Sequence, residues 1–250
     1  IWYEPAYLLS FVKDSAIKLS YAASIGIGKL DEEQSKLYTQ FLPSFDAISV
    51  REKTAQDLLS PLLDIKVNVC VDPTLLLSVE EWDQLTAECK IHGKYVFLYL
   101  LGNDSKTRKT AVAFAEAKGL KLVTIPDLKG AYRASDRKMR AELIDDATPA
   151  DYLSLIKYAD FVITDSFHTC VFSLLYKKQF FAFQVDNRLK MESRIQNLTK
   201  MFGCPERFCS NNENEADYLL QMQAIDYTSS ISEFENEKQR SVEYLKSNLS

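Results

Sequence analysis

Metal-binding side chains are scarce in this sequence: two histidines and five cysteines in 250 residues, with no C-x-x-C pair. A structural zinc centre needs about four such ligands at close spacing. No Asp/Glu/His cluster offers that spacing either, so no metal is expected. No apolar run approaches the roughly 18–20 residues that span a bilayer. The first residues, Ile1 to Pro5, lack the basic start and apolar stretch of a secretory signal. Together these absences describe a cytosolic chain with free thiols. Excess charge is missing as well. A net charge of −5 gives neither nucleic acid nor an anionic membrane surface a reason to bind. An anionic small molecule would need a local group of Arg, Lys or helix N-termini. Glycine-rich phosphate loops are absent too, because Gly26-x-Gly28-Lys29 has the spacing of neither a dinucleotide fingerprint nor a P-loop. No internal repeat and no low-complexity segment is present.

What the sequence does have is an ordinary globular balance, 46% hydrophobic and 26% charged, enough to bury a core. Short apolar runs rich in β-branched and aromatic residues alternate with helical patterns. Strands are expected at 17–24, 45–50, 66–71, 94–101, 121–125, 160–164 and 180–184. Helices are expected at 31–42, 52–60, 79–90, 106–118, 148–158, 169–176 and 231–249. The run 94–101 is continuously apolar, as a strand buried on both faces would be. Thr148, Pro149 and Asp151 form a helix start with a capping box, and Gly119 closes a helix. Such alternation implies an α/β fold with parallel sheets, in two Rossmann-like halves. The boundaries expected are 1–92, 93–230 and a terminal helix at 231–250. The first half is short for a full unit, which suggests that the sequence begins inside that domain.

Parallel sheets bind ligands at the carboxyl ends of their strands. The strand 160–164 runs into Asp165-Ser166-Phe167-His168, with a helix directly behind. Ser166 is placed as an N-cap and His168 falls in the first turn, so backbone N–H groups and an imidazole converge where a phosphate or carboxylate would fit. The competing reading is that Asp165 or Ser166 only caps the helix and His168 is a packed surface residue. Strand 45–50 delivers Arg51 to the equivalent position, where it could fork onto an anion or pair with Glu52 or Asp57. Arg188, Lys190 and Arg194 follow the strand 180–184; they are either a third basic group or a solvated face. Asp72-Pro73-Thr74 reads as a strand-ending turn, and His92 as structural.

In this order the segments resemble the polysaccharide pyruvyl transferase family. The resemblance rests on Lys18–Gly26, Ile48–Glu52, Val71–Leu76, Ala159–His168 with Val171–Ser173, Ser193–Ile195 and the terminal helix, and so spans nearly the whole chain. It implies a fold like that of two-domain GT-B glycosyltransferases, and a segment before Ile1 completing the first sheet. It implies transfer of an enolpyruvyl unit from phosphoenolpyruvate to a sugar of a cell-surface polysaccharide, with release of phosphate. No cofactor beyond that donor is implied, and the acceptor is a glycan or lipid-linked sugar. A lipid-linked acceptor would bring peripheral contact with a membrane. By resemblance His168 is the general acid/base and Ser166 a ligand of the donor phosphate. Arg51 clamps the donor, and Arg188 or Arg194 supplies a further cation. Some members carry Arg two residues before the histidine, where this chain has Ser166; the Ser-Phe-His form is similar to a bacterial branch. Two rivals stand beside this reading, a nucleotide-sugar glycosyltransferase and a non-catalytic glycan-binding protein. The first often shows a Gly-Gly pair and a downstream Glu, and the stretch 169–176 has neither.

Overall fold

In a computed structural model of the chain, residues 4–13, 15–126, 136, 139–184, 192–209, 215–228 and 231–249 are described. The chain forms two compact units, one of residues 1–76, 189–197 and 232–250, the other of residues 77–188 and 198–231. The division thus falls at 76/77 where the sequence suggested 92/93, and the terminal helix belongs to the first unit.

The first unit holds a parallel sheet of β1 (Leu19–Ala23), β2 (Ala47–Val50) and β3 (Val67–Val69), in that order among the described residues. Helix α1 (Glu32–Phe41) connects β1 to β2 and opens on a capping box between Asp31 and Gln34. Helix α2 (Lys53–Leu59) connects β2 to β3. The apolar face of this sheet packs Ile48 and Val50 against Ala55, Leu59 and Leu42. On the other side the C-terminal helix (Ile231–Leu249) is tied down by hydroxyls. The Val71 N–H donates to Ser241 Oγ at 3.0 Å, Ser241 Oγ donates to Glu237 O at 2.7 Å, and Tyr244 Oη donates to Ser20 O at 2.9 Å.

The second unit begins with α3 (Val79–Asp83), which starts on a capping box between Ser78 and Glu81. The helix expected to reach residue 90 stops there because tertiary partners take its continuation. The Ala87 N–H donates to Ala150 O at 3.2 Å, and Lys90 pairs with Asp151 at 2.9 Å. Then follow β4 (Tyr95–Tyr99), α4 (Ser105–Lys118), β5 (Lys121–Thr124), β6 (Glu142–Leu143), α5 (Pro149–Lys157), β7 (Phe161–Thr164), α6 (Phe167–Leu175) and β8 (Gln179–Phe183). After these come α7 (Glu192–Met201), β9 (Phe208–Cys209), α8 (Ala216–Gln221) and the terminal helix, α9. Gly119 closes α4 at φ 65°, the left-handed conformation that glycine adopts freely. Thr148 and Asp151 form the expected capping box on α5.

The strand order is β6-β5-β4-β7-β8-β9, all parallel. Residues Tyr95–Leu98, Val162–Thr164 and Phe180–Phe183 are fully buried, as a sheet covered on both faces requires. Phe114 of α4 stands edge-on to Phe161 and Phe181 at 5.1 and 5.4 Å, joining helix to sheet. The order reverses between β4 and β7: from β4 the chain moves out to β5 and β6, then returns to place β7 on the other side. In open parallel sheets this reversal opens a crevice at the carboxyl ends. Among the described residues no helix is long and apolar enough to cross a membrane.

Ser241 is wholly buried and is the partner of the Val71 N–H. Ser241→Ala leaves that amide unsatisfied and is expected to cost about 1–3 kcal/mol, read as a lower midpoint in urea denaturation.

Candidate functional site

The reversal between β4 and β7 is where Asp165-Ser166-Phe167-His168 leaves the sheet. Three consecutive polar side chains settle the backbone there. Thr164 Oγ1 donates to Tyr99 O of the neighbouring strand at 2.7 Å and accepts the Ser166 N–H at 3.0 Å. Asp165 turns back across the crevice, and its two oxygens accept the N–H groups of Leu101 at 2.6 Å and Gly102 at 2.7 Å. Ser166 is the N-cap of α6, its Oγ accepting the Thr169 N–H at 3.4 Å. The expected choice between Asp165 and Ser166 as cap therefore falls on Ser166, and Asp165 is free to reach the other strand's loop.

Ser166 and Phe167 are buried, whereas His168 is exposed in the first turn of α6. The edge of its ring meets Phe167 at 5.4 Å and 80°. Beneath the turn, Tyr152 of α5 shares a hydrogen bond with Thr169 Oγ1 at 2.8 Å, and its ring stands against Tyr99 at 5.2 Å. Burial pushes the Tyr152 phenol up, so it remains a neutral hydrogen-bonding group. Burial also raises the Asp165 carboxyl, against the opposing pull of the two amides and of Arg108. All five cysteines are thiols, and burial pushes Cys170, in α6, well up, which leaves it a poor nucleophile.

A second cluster lies at the carboxyl end of the first unit's sheet. Arg51 follows β2 and forms an ion pair with Asp72 Oδ2 at 2.7 Å, rather than with Glu52 or Asp57. Its Nε donates to Ala22 O at 3.4 Å, and its backbone N–H to Ala23 O at 3.0 Å. Ala22 takes a left-handed φ of 46° where the β1–β2 register shifts between Ser20 and Ala23. Such a bulge re-aims the backbone at a sheet edge, at a cost of about 1–2 kcal/mol for a non-glycine residue. Two serines stitch it: Ser49 Oγ accepts the Ala22 N–H at 2.9 Å and donates to Ser20 O at 3.0 Å, while Ser20 Oγ donates to Ser49 O at 2.9 Å.

Asp72 also caps its turn as expected, its Oδ1 accepting from the Thr74 N–H at 2.9 Å and from Thr74 Oγ1 at 2.6 Å. Glu52 is buried; the Ser24 hydroxyl donates to its Oε1, and its Oε2 has no hydrogen-bond partner among the described residues. Burial raises this carboxyl above its ordinary 4.5, opposed by the Ser24 hydroxyl and by Arg51 and Arg194. Arg194, on α7, lies within electrostatic reach of Glu52, Arg51 and Asp72.

The structure thus brings Arg51 and Arg194 together in the first unit, and Ser166 and His168 together in the second. Arg188 lies outside the described residues. Arg194 itself lies in the first turn of α7. The sequence offered Glu52 as a partner of Arg51, Asp72 as a turn residue and Asp165 as a helix cap, but not the bonds of Asp72 to Arg51 and of Asp165 to Leu101 and Gly102, and Tyr152 was not singled out. The Asp-Pro-Thr turn and the Asp before Ser166 were the available signals, but their partners lie 21 and 64 residues away along the chain. Among the described residues no group of His, Cys, Asp or Glu is arranged to hold a metal ion.

Comparison with known proteins bears on fold and family separately. The family model described as polysaccharide pyruvyl transferase matches residues 1–187. No curated protein matches the sequence. Among solved structures, the UDP-GlcNAc 2-epimerase of Methanocaldococcus jannaschii is similar over 97% of this chain and 74% of its own, with a TM-score of 0.61 at 11% identity. The Neisseria meningitidis UDP-GlcNAc 2-epimerase, solved bound to UDP-GlcNAc, is similar over 97% of this chain and 73% of its own, with a TM-score of 0.54 at 13% identity. At such identities these likenesses show the fold alone, and it is of the GT-B type.

Two outcomes test the first cluster. Asp72→Ala strips Arg51 of its buried counter-ion and is expected to cost about 3–5 kcal/mol in urea denaturation, whereas Asp72→Asn keeps the turn cap and costs less. Glu52→Gln tests the raised carboxyl. A folded-state pKa above the unfolded one means stability that is present below the unfolded value and lost as pH rises through the folded one. The neutral glutamine lacks that loss, so its stability relative to wild type is expected to grow as pH rises above the ordinary carboxylate value of 4.5. A difference that stays flat with pH contradicts the assignment.

Proposed function

Since the chain belongs to the polysaccharide pyruvyl transferase family, we propose that it moves an enolpyruvyl unit from phosphoenolpyruvate to a polysaccharide sugar, closing a pyruvate ketal across two hydroxyls. The observation that carries this reading is the exposed His168 in the first turn of α6, at the strand reversal where parallel sheets hold their ligands. The reaction adds a proton to the methylene carbon of the donor and removes one from each attacking hydroxyl, with phosphate as leaving group. An imidazole that titrates near neutrality is suited to both transfers. His168 is the acid/base in this reading.

The donor carries a carboxylate and a phosphate. A helix N-terminus serves one such group, and guanidinium forks serve the other. Ser166, buried as the cap of α6, acts on the donor phosphate chiefly by holding that helix start open toward it. Arg51, with Arg194 within electrostatic reach of it, is the candidate donor cation of the first unit in this reading. Arg51 is paired with Asp72, and in this reading its positive charge also bears on the donor anion. Arg188 fills the same need in this reading.

The fold is shared with proteins that hold nucleotide sugars, so nucleotides are the controls. Melting is followed with phosphoenolpyruvate, UDP, GDP and CMP. Phosphoenolpyruvate at about 100 times its dissociation constant is expected to add roughly 2.7 kcal/mol, and Arg51→Ala to abolish the gain. His168→Ala, at an exposed position, is expected to leave unliganded stability within about 0.5 kcal/mol. The same variant is expected to slow phosphate release in the presence of polysaccharide by about 10²–10⁴-fold. Stabilisation by a nucleotide and not by phosphoenolpyruvate would replace this reading with nucleotide-sugar transfer.

A further inference from the structure

The loop that follows β4 is held from both sides by buried charges, although none of its residues carries a family motif. On one side Asp165 accepts the N–H groups of Leu101 and Gly102. On the other Arg108, buried in the first turn of α4, donates from Nη1 to Gly102 O and to Asp104 O, each at 3.1 Å. Its Nε is anchored to Asp136 Oδ1 at 2.7 Å, a pair that is itself buried. Asp104 caps α4 by accepting the N–H groups of Lys106 at 2.9 Å and Thr107 at 3.0 Å. Anion meets amides and cation meets carbonyls, so the peptide dipoles of residues 101–104 are pinned at both ends.

Such a clamp is more than ordinary loop packing requires. Asp165 is 5% exposed, and bringing a carboxylate there costs desolvation that two short amide bonds and the charge of Arg108 only partly offset. Its reach is also specific. The residue sits at the end of β7, one position before the α6 cap, and the N–H groups that donate to it lie across the strand reversal on β4's loop. One side chain therefore joins the two walls of the crevice. We infer that Asp165 is a positioning residue, which sets the loop Leu101–Asp104 against the His168 turn so that the crevice between β4 and β7 receives an anionic ligand in one geometry. The hydrogen bonds of the Asp165 side chain described above go to backbone N–H groups. Its action on a ligand is indirect, through the placement of the loop and of the α6 start.

The test uses the full chain and two variants, Asp165→Asn and Asp165→Glu. Asparagine keeps the shape but turns an amide donor toward one of the two N–H groups; glutamate keeps the charge but has the wrong reach. Amide hydrogen exchange by NMR reads the clamp without any ligand. At Leu101 and Gly102 exchange is expected to quicken at least tenfold in both variants, while Ile163 in β7 and Ala111 in α4 stay as in wild type. Unchanged exchange at Leu101 and Gly102 overturns the inference. Should Asp165→Asn fail to fold by circular dichroism, Asp165→Glu alone decides the point.

Phosphoenolpyruvate affinity by calorimetry separates positioning from simple electrostatics. If Asp165 only repelled an anion, removing its charge would tighten binding and Asp165→Glu would leave it unchanged. Positioning predicts at least tenfold weaker binding in both. A purely structural role lowers the melting temperature of the variants and leaves the affinity of the folded protein alone, which also overturns the inference. This arm rests on the donor reading above, whereas the exchange arm does not. If wild type ignores phosphoenolpyruvate but Leu101 and Gly102 loosen as expected, the donor reading fails and the clamp stands. The variants are then compared with whichever of inorganic phosphate or UDP the wild type binds, and a wild type that binds none of the three overturns the positioning role.

Discussion

A buried parallel strand releases its last backbone groups at one edge of the sheet, out of reach of water and beyond the ladder, and each must still find a partner. In the second unit that obligation falls on Thr164, Asp165 and Ser166, and each answers it differently. Thr164 bonds the neighbouring strand, Asp165 the loop across the strand reversal, and Ser166 the helix that begins there. His168 is presented to solvent in the first turn that follows because Thr164, Asp165 and Ser166 have absorbed the backbone's demands. The site and the solution of the buried edge are the same structure.

The first unit meets the same constraint with charge and strain. Ala22 is held in a left-handed conformation by the paired hydroxyls of Ser20 and Ser49, and the carbonyl so turned accepts from Arg51. Asp72 closes the next strand and neutralises the arginine in one step. Buried ion pairs of this kind add little net stability, because desolvation cancels most of the Coulomb attraction. Here the pair sits beside a bulge and the buried Glu52, so what it fixes is the position of the guanidinium.

Legibility followed the range of the interactions. Helices with local start and stop signals, such as α4 with Gly119 and α5 with Thr148 and Asp151, were readable to within a residue. So was the terminal helix, whose period runs the whole length of Ile231–Leu249. The stretch 84–90 has the pattern of a helix, but Ala150 and Asp151 draw its backbone and Lys90 elsewhere. Short edge strands such as Glu142–Leu143 and Phe208–Cys209 carry too few residues to show a period, and they exist because β5 and β8 offer them a ladder.

The amino-acid sequence by itself determined the α/β class, the parallel strands and the placement of Arg51, Ser166 and His168 at strand ends. These follow from hydrophobic runs, caps and turn residues that act within about ten positions of one another. Tertiary structure alone decided which strands are neighbours, and with that the reversal between β4 and β7. It also decided that Arg51 pairs with Asp72, that Arg194 joins Glu52, and that Asp165 spans to Leu101 and Gly102. The reason is physical: these partners are buried polar groups whose need for one another arises only after the sheets have assembled and removed the water between them.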